Sequence, residues 1–458
     1  MANPVIEQYT TGKPIVDGTF GHLTGEQTAK LQQLWRKLFE TFHKPASDLS
    51  SAPLPAEATE APKKEASRSS SVPASGRSSR ILKRHTGAKD SPSASPSPAS
   101  SGWFGWATSS AKAEAPEYRQ LVGDEASEAS LPPPFVPGQG ATTVGEAFWE
   151  AALYDHPDVL LLRFLRARKW QVDDALAMFL SCLKWRIDEQ VSWLVWRGEA
   201  ELNLALMRRG MGVVHKTDRL GQPVLHIPVR LNIPSAQPGE QMIEYTLYLM
   251  EVARIVLHPP AEKVCLLFDT TDMSLANMDW TFFRTFLHYL EHYYPECLGL
   301  VLIYNASWVF NGLWKLIRPL LDPVVASKVH FAASAKDLQH FIAPESLPKE
   351  FGGADAFKYT YPMPVDGENK AMFDSAGREK AVLDRRAKCE QFEAATRRWA
   401  GVDSASDLSK DALGDERKAA ADEFVAASKA LDKYVRARTL YHRNGVIGED
   451  LRADWNKV

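Results

Sequence analysis

The segment 305–328, NASWVFNGLWKLIRPLLDPVVASK, carries a wide amphipathic pattern. Its apolar residues recur at intervals that place them along one side of a helix, and Lys315 and Arg318 fall on the opposite side. Asp322 and Pro323 then mark the end of the helix. We interpret this helix as a movable lid, although the pattern alone also allows ordinary core packing. The predicted stripe consists of Val309, Phe310, Leu313, Trp314, Ile317, Leu320 and Leu321.

Helical and strand patterns in the centre of the chain predict an α/β fold. Three helical patterns come first, at 146–154, 158–168 and 172–188. Strand patterns follow at 222–230, 263–269, 299–305 and 328–332, with helical patterns at 241–257, 279–293 and 335–342. We therefore predict a helical N-terminal module followed by a mixed, largely parallel sheet that is flanked by helices and has a hollow side. Pro228 places the first of these strands near an edge of the sheet.

The N-terminal segment 1–43 contains one amphipathic helix, at 23–43. Thr24 is a candidate N-cap, with Gln27 three residues later. An isolated helix of this length is marginal in water, so we expect it to pack onto the helical module. A free helix, or a docking motif for another protein, is the alternative.

Two further segments differ in composition from the centre of the chain. Residues 44–140 are rich in Ser, Pro and Ala and predict a disordered linker. Its part from 61 to 90 holds eight Lys or Arg against two acidic residues, and a solvated tether is favoured there over contact with anionic lipid. Residues 368–443 contain helical patterns at 370–399 and 411–442, which either cover the back of the preceding domain, the favoured reading, or bind a partner.

The composition excludes several classes of function. A net charge of −3 does not suggest nucleic-acid binding. The four cysteines are far apart, which fits a reducing compartment without structural zinc. No apolar run approaches about 18 residues, and the N-terminus lacks a signal-peptide pattern. We expect a cytoplasmic protein that meets membranes peripherally.

Five motifs, in order, carry a family resemblance over about 149–353. They are LLRFLRARKW (161–170), KWR (184–186), YYPE (293–296), LDPVVASK (321–328) and LPKEFGG (347–353). With them the chain resembles the CRAL-TRIO lipid-binding and lipid-transfer family, in particular the CSR-type branch of fungal phosphatidylinositol transfer proteins. The resemblance implies a helical module at 143–200 and a lipid-binding domain at 201–356, with the segment 309–321 as a gate over a lipid cavity. It also implies localisation at endosomes, microsomes or lipid droplets. We expect a monomer.

The resemblance singles out four headgroup-binding residues. Arg168 and Lys169 match the family's basic pair for inositol phosphate, Lys328 matches its phosphoinositol lysine, and Glu296 matches the acid of its YYPE segment. Guanidinium and ammonium groups suit an anionic headgroup. Val325 departs from the pattern, since it stands where the best-known members have a Thr hydroxyl, and losing that hydrogen bond costs about 1.5–3 kcal/mol.

The phosphatidylcholine site of dual-specificity members is also altered. Val264 and Leu266 stand where those members carry Ser and Thr hydroxyls, so we do not expect phosphatidylcholine binding. A second ligand would be less polar, such as a sterol.

Rival chemistry has little support in the sequence. His288 to His292 fit the zinc-protease motif H-x-x-E-H, but the matching helix of the lipid family explains them without a metal. We expect no catalytic residue, no metal and no cofactor apart from bound phospholipid. The predicted function is phosphatidylinositol exchange between membranes, or its presentation to lipid kinases; the alternative is a binder or sensor of a neutral lipophile.

Overall fold

The computed structural model describes residues 4–14, 16–50, 141–257, 261–404 and 409–457. Five strands form one sheet in sequence order: β1 (Val213–Thr217), β2 (Pro223–Pro228), β3 (Val264–Asp269), β4 (Leu298–Tyr304) and β5 (Val329–Ala332). β1 pairs with β2 antiparallel, and the other neighbours are parallel. The prediction of a mixed, largely parallel sheet is confirmed.

The prediction that β2 lies near an edge is confirmed, since β2 is the second strand of the sheet, beside the edge strand β1. β1, which the sequence analysis missed, pairs with β2 on the side away from β3. The pairing with β1 reaches only His226, whereas Pro228 is paired with Asp269 of β3. Pro228 is therefore tolerated because the ladder on its other side has already ended.

Between residue 141 and β1, the described chain forms five helices. They are α3 (Val144–Ala152), α4 (Pro157–Ala167), α5 (Val172–Asp188), α6 (Val191–Arg197) and α7 (Leu204–Arg209). The first three confirm the predicted helical module, and the bounds of α5 agree to the residue. The last two are short, and their hydrophobic pattern is too brief to distinguish them from loops.

Two N-terminal helices pack against this core. α1 (Pro4–Thr11) buries Val5 on the sheet, and α2 (Gly25–Phe39) begins with the predicted capping box of Thr24 and Gln27. Trp35 of α2 is fully buried and lies 5.4 Å, ring centre to ring centre, from Phe148 of α3. The predicted packing of this helix onto the helical module is confirmed.

The prediction of a disordered linker over 44–140 is corrected at its start, because residues 44–50 are ordered. Ala46–Asp48 form a single 3-10 turn, and the N–H of Ala46 donates to the carbonyl of Thr142 over 3.0 Å. Residues 46 and 142 are thus held side by side. The remainder, 51–140, including the basic part at 61–90, lies outside the described residues.

The helices around the sheet are α8 (Gly239–Val256), α9 (Trp280–His292), α10 (Trp308–Ile317), α11 (Pro323–Ser327) and α12 (Ala335–Leu338). The predicted lid helix is shorter than expected, because α10 stops at Ile317 and a 3-10 turn covers Arg318–Leu320. Pro319 explains the change, since it lacks the N–H that a continued helix would need and its ring obstructs the preceding turn. Within the described part of the chain, no helix is long and apolar enough to cross a membrane.

The C-terminal helices are α13 (Ser375–Trp399), α14 (Lys410–Val435) and α15 (Leu440–Arg443). α13 packs mainly against α14, and its Arg385 donates to the carbonyls of Trp149 and Leu153 in the helical module. The segment after α14 reaches the sheet, where the Tyr441 hydroxyl accepts a hydrogen bond from the N–H of Val214 of β1 over 2.7 Å. The C-terminal helices therefore pack on the protein itself, as the favoured interpretation predicted. They cover chiefly the helical module rather than the back of the sheet domain.

Candidate functional site

The two faces of the sheet are packed differently. On one face, Cys265 and Leu267 of the central strand β3 are 0% exposed, against α12 and the turns that follow it. On the other face, Val264 and Leu266 keep 8% and 7% of their surface, and Phe268 is only half-buried although helices cover this side. Among the described residues, the half-buried apolar side chains packed on the first face are Tyr9 and Tyr304, whereas the second face has many, which close packing would cover. The second face therefore borders open space.

The side chains around this space are apolar. The half-buried residues that belong to its core cluster include Leu225, Ile227, Met250, Phe283, Phe286 and Trp314. They come from β2, α8, α9 and α10, so the space is bounded by the sheet and by helices. The result is an apolar hollow, and Cys265 is buried on the opposite face of β3.

α10 closes one side of the hollow. Phe310, Leu313 and Ile317 are buried, whereas Val309, Trp314 and Leu321 are half-buried. Leu320 departs from the predicted stripe, since it is 44% exposed in the turn after the helix ends. The side chains of the helix itself thus follow the predicted stripe up to Ile317.

The outer surface of this region is also apolar. We call it the outer patch; it consists of Trp308, Leu316, Leu320, Val324 and Phe331, all exposed, with Trp308 at 85%. Lys315 and Arg318 are exposed in the same segment. Clustered exposed apolar residues with cations beside them are typical of a surface that meets a membrane or another protein.

Three charged residues gather where the parallel strands begin. Lys263 directly precedes β3, Glu296 lies two residues before β4, and Lys328 directly precedes β5. The register pairs Val264 with Leu298, and the Lys328 Nζ donates to the carbonyl of Leu298 over 2.9 Å. Because parallel strands start at the same side of a sheet, these residues share one edge, here called the amino edge.

Charges at the amino edge influence one another. Burial lowers the pKa of Lys263 and the nearby Lys328 ammonium lowers it further, while the Glu296 carboxylate acts in the opposite direction. Lys263 has no hydrogen bond or ion pair with another described residue. The sequence analysis missed this residue, although a lysine at the very start of an apolar strand was visible in KVCLLFD.

The other two predicted headgroup residues lie at the end of α4. Arg168 is half-buried, and Lys169 is exposed with a left-handed backbone φ of 50°. Neither side chain bonds to another described residue. No contact joins them directly to Glu296 or Lys328. The connection runs through Arg166, which forms an ion pair of 2.8 Å with Glu262, the neighbour of Lys263.

The YYPE segment is held by a buried ionic network. The Tyr294 hydroxyl donates to Glu251 over 2.7 Å, and the same carboxylate binds Arg186 through both oxygens. Burial alone would raise the pKa of Glu251, but Arg186 and Arg254 hold it far below its usual range. Tyr293 stacks on Trp185 with ring centres 4.2 Å apart. The network fixes the backbone that carries Glu296 at the amino edge.

Comparison with known proteins identifies the fold. The model of the CRAL/TRIO domain matches residues 207–353, and that of the CRAL/TRIO N-terminal domain matches 114–181. A CRAL-TRIO domain-containing protein of Schizosaccharomyces pombe is 37% identical over 305 residues, which is 66% of this chain and 68% of the relative. The phosphatidylinositol transfer protein CSR1 of Eremothecium gossypii is 32% identical over 313 residues, 66% of this chain and 71% of that protein. This chain belongs to the CRAL-TRIO family.

A SEC14 cytosolic factor, also of Eremothecium gossypii, is 31% identical over 212 residues, 43% of this chain and 69% of that protein. The sequence resemblance to CRAL-TRIO proteins is confirmed. The chain continues well beyond the CRAL/TRIO model, into α13, α14 and α15.

Two places in this CRAL-TRIO chain lack the hydroxyl groups named in the sequence analysis. Val325 is half-buried in α11, where its carbonyl accepts the N–H of Lys328 over 3.0 Å. Val264 and Leu266 lie on the face of β3 that borders the hollow. The chain therefore offers methyl groups at these three positions.

His288 and His292 of this CRAL-TRIO protein stack with ring centres 4.2 Å apart. Burial lowers the pKa of His288 to about 4, with a smaller contribution from His292. Among the described residues, no three His, Cys, Asp or Glu side chains are grouped closely enough to hold a metal ion.

Proposed function

We propose that this protein binds phosphatidylinositol in its apolar hollow and exchanges it between membranes, or presents it to lipid kinases, at cytoplasmic membrane surfaces. The observation that carries the proposal is the hollow on one face of the sheet, closed by α10 and adjoined by a cationic amino edge. The similarity to a protein named as a phosphatidylinositol transfer protein supports it.

The energetic case rests on the acyl chains. Each buried methylene is worth about 0.8 kcal/mol, so carrying a two-chain lipid through water without cover costs on the order of tens of kcal/mol. An apolar hollow removes most of that cost. In the proposed cycle α10 opens against the bilayer, the hollow takes the chains, and α10 closes before the protein leaves. No covalent step is needed.

The outer patch supplies contact with the membrane. Trp308 is suited to the headgroup region of a bilayer because its ring is apolar with one polar N–H. Lys315 and Arg318 add attraction to anionic lipid, at about 1 kcal/mol per cation near the surface. Docking at this patch would place α10 against the bilayer, where its opening delivers the lipid directly.

The headgroup is assigned to the amino edge and to the end of α4. The ammonium of Lys328 has protons left after its bond to Leu298, and Arg168 and Lys169 have no partner among the described residues, so all three can donate to the lipid phosphate. Glu296 can accept hydrogen bonds from inositol hydroxyls. A choline headgroup offers no such hydroxyls, which is the physical basis for the proposed selectivity.

A direct test is to incubate the purified protein with vesicles of mixed lipids, re-isolate it, and identify the bound lipid by native mass spectrometry and extraction. We expect stoichiometric phosphatidylinositol. The double variant Lys169→Ala/Lys328→Ala should lose phosphatidylinositol transfer, whereas Lys380→Ala/Lys410→Ala, which removes two exposed lysines of the C-terminal helices, should not. Thermal melting checks that each variant is folded. Unchanged transfer in the first double variant would contradict the headgroup assignment.

A second candidate, binding of a neutral lipophile such as a sterol, is favoured by one observation. Val264, Leu266 and Val325 give the hollow and its margin no hydroxyl where a phosphate could bind. Recovery of a sterol with phosphatidylinositol absent, even after incubation with phosphatidylinositol vesicles, would support this candidate over the first.

A further inference from the structure

Lys263 is a half-buried lysine without a partner in the described structure. Burial of an ammonium group is unfavourable unless hydrogen bonds or an opposite charge compensate it. Nearby carboxylates compensate only in part: the charges of Glu296 and Glu262 favour the ammonium form, but Glu262 is engaged by Arg166 at 2.8 Å and no ion pair joins Glu296 to Lys263. The site is therefore arranged to receive negative charge from outside the chain.

The position of Lys263 follows from strand register. Val264, the next residue, pairs with Leu298, and the N–H of Val264 donates to the carbonyl of Cys297 over 2.8 Å. Lys328, at the start of β5, reaches the same end of β4, since its Nζ donates to the carbonyl of Leu298 over 2.9 Å. The two lysines thus approach one backbone position from opposite sides of β4.

The charge balance points to an anionic ligand. At the amino edge, Lys263 and Lys328 have no ion pair with any described residue, and Glu296 is a carboxylate close enough to influence Lys263. With Arg166 and Glu262 paired, the two lysines and the one carboxylate leave an excess of positive charge. A phosphate group between Lys263 and Lys328 would reduce the repulsion between the two ammonium groups as well as satisfying their N–H donors.

We propose that Lys263 is a headgroup-binding residue, and that its ammonium holds the lipid phosphate together with Lys328. The inference rests on the proposed function and deepens it, because it adds a determinant on β3 to the residues on α4, β4 and β5. In this arrangement, the phosphate lies at the amino edge, between Lys263 before β3 and Lys328 before β5, while the acyl chains enter the hollow.

The test compares Lys263→Met, which keeps the length of the side chain and removes its charge, with Lys263→Arg, which keeps the charge. Lys380→Met, an exposed position on α13, is the matched control. Transfer of fluorescent phosphatidylinositol between vesicles and its apparent affinity are measured. We expect Lys263→Met to lose about tenfold or more in affinity, the effect of removing a charged hydrogen bond. Lys263→Arg should retain most of the affinity, and Lys380→Met all of it.

The outcomes separate the inference from the proposed function. If the wild-type protein takes up phosphatidylinositol and Lys263→Met does so equally well, the inference is overturned and the proposed function stands. If Lys263→Met and Lys263→Arg lose affinity equally with unchanged melting temperatures, a role based on charge is overturned. If the wild-type protein takes up none, both proposals fail. Selective loss in Lys263→Met supports the inference.

Discussion

Arg417 and Asp158 form a bidentate ion pair in which both guanidinium N–H groups donate to the carboxylate oxygens over 2.5 Å. Both side chains are buried, and Trp35 of α2 donates to the same carboxylate. The pair joins α14 to the first turn of α4, the helix that ends at Arg168 and Lys169. The C-terminal helices are therefore part of the core that positions one half of the proposed headgroup site.

We expect Arg417→Met to destabilise the protein by about 3–5 kcal/mol, because it leaves the Asp158 carboxylate buried without its partner. Urea denaturation measures the change in the free energy of unfolding. Arg386→Met is the matched control, since Arg386 pairs with Glu390 on the exposed face of α13 and should change stability little. Equal effects from the two variants would show that the buried pair has no special role.

Much of the fold could be predicted because its signals are local. The capping box of α2 and the full extent of α5 lie within short windows of sequence. The Asp158–Arg417 pair could not be predicted, since its members are 259 residues apart and an arginine in a charged helix has the pattern of a solvated face. β1 was missed for a similar reason, because a strand of five residues depends on its neighbour for stability.

The candidate site was predicted unevenly. Lys328 and Glu296 were found through motif resemblance, and strand register brings both to the amino edge. Lys263 belongs to no motif, so only the pairing of β3 with β4 places it beside Lys328. Exposure of the outer patch also depends on tertiary packing, because an apolar residue such as Trp308 looks the same in sequence whether it is covered or not.

Trp308 should anchor the protein at the bilayer. We expect Trp308→Ser to leave the melting temperature unchanged, because the side chain is 85% exposed, and to reduce vesicle binding and lipid transfer several-fold. Vesicle flotation and a transfer assay measure the two effects. Leu383→Ser is the control, since Leu383 is exposed on α13 rather than in the outer patch. Similar losses in both variants would argue against a specific role for the patch.

Val325→Thr should strengthen phosphatidylinositol binding. The two side chains have nearly the same shape, and the new hydroxyl would lie one helical turn before Lys328. A hydrogen bond to the charged phosphate is worth about 1.5–3 kcal/mol, so we expect a gain of about tenfold or more in affinity, measured by competition between vesicles. Val324→Thr introduces the same hydroxyl at the exposed neighbouring position. An equal response of the two variants would place the phosphate away from α11.

His156 should make the free energy of unfolding depend on pH. Its Nδ1 accepts the N–H of Asp158 over 3.1 Å and so caps α4, which requires an unprotonated nitrogen. Burial is the main cause that lowers its pKa from 6.5 to about 4. At pH values between 4 and 6.5 the unfolded chain binds more protons than the folded one. The contribution of His156 to the free energy of unfolding is therefore fully present above pH 6.5 and is lost as the pH falls towards 4.

Replacing His156 by Asn keeps a side-chain oxygen that can cap the helix and removes the titrating group. We expect His156→Asn to flatten the dependence of unfolding free energy on pH between 4 and 6.5, by up to about 1.4 kcal/mol per pH unit. Urea denaturation at several pH values measures this slope. His43→Asn, at an exposed position, should leave the slope as in the wild type. If the curves of His156→Asn and the wild type stay parallel throughout, the His156 imidazole does not control acid stability, and the buried histidines, such as His226, become the groups to replace.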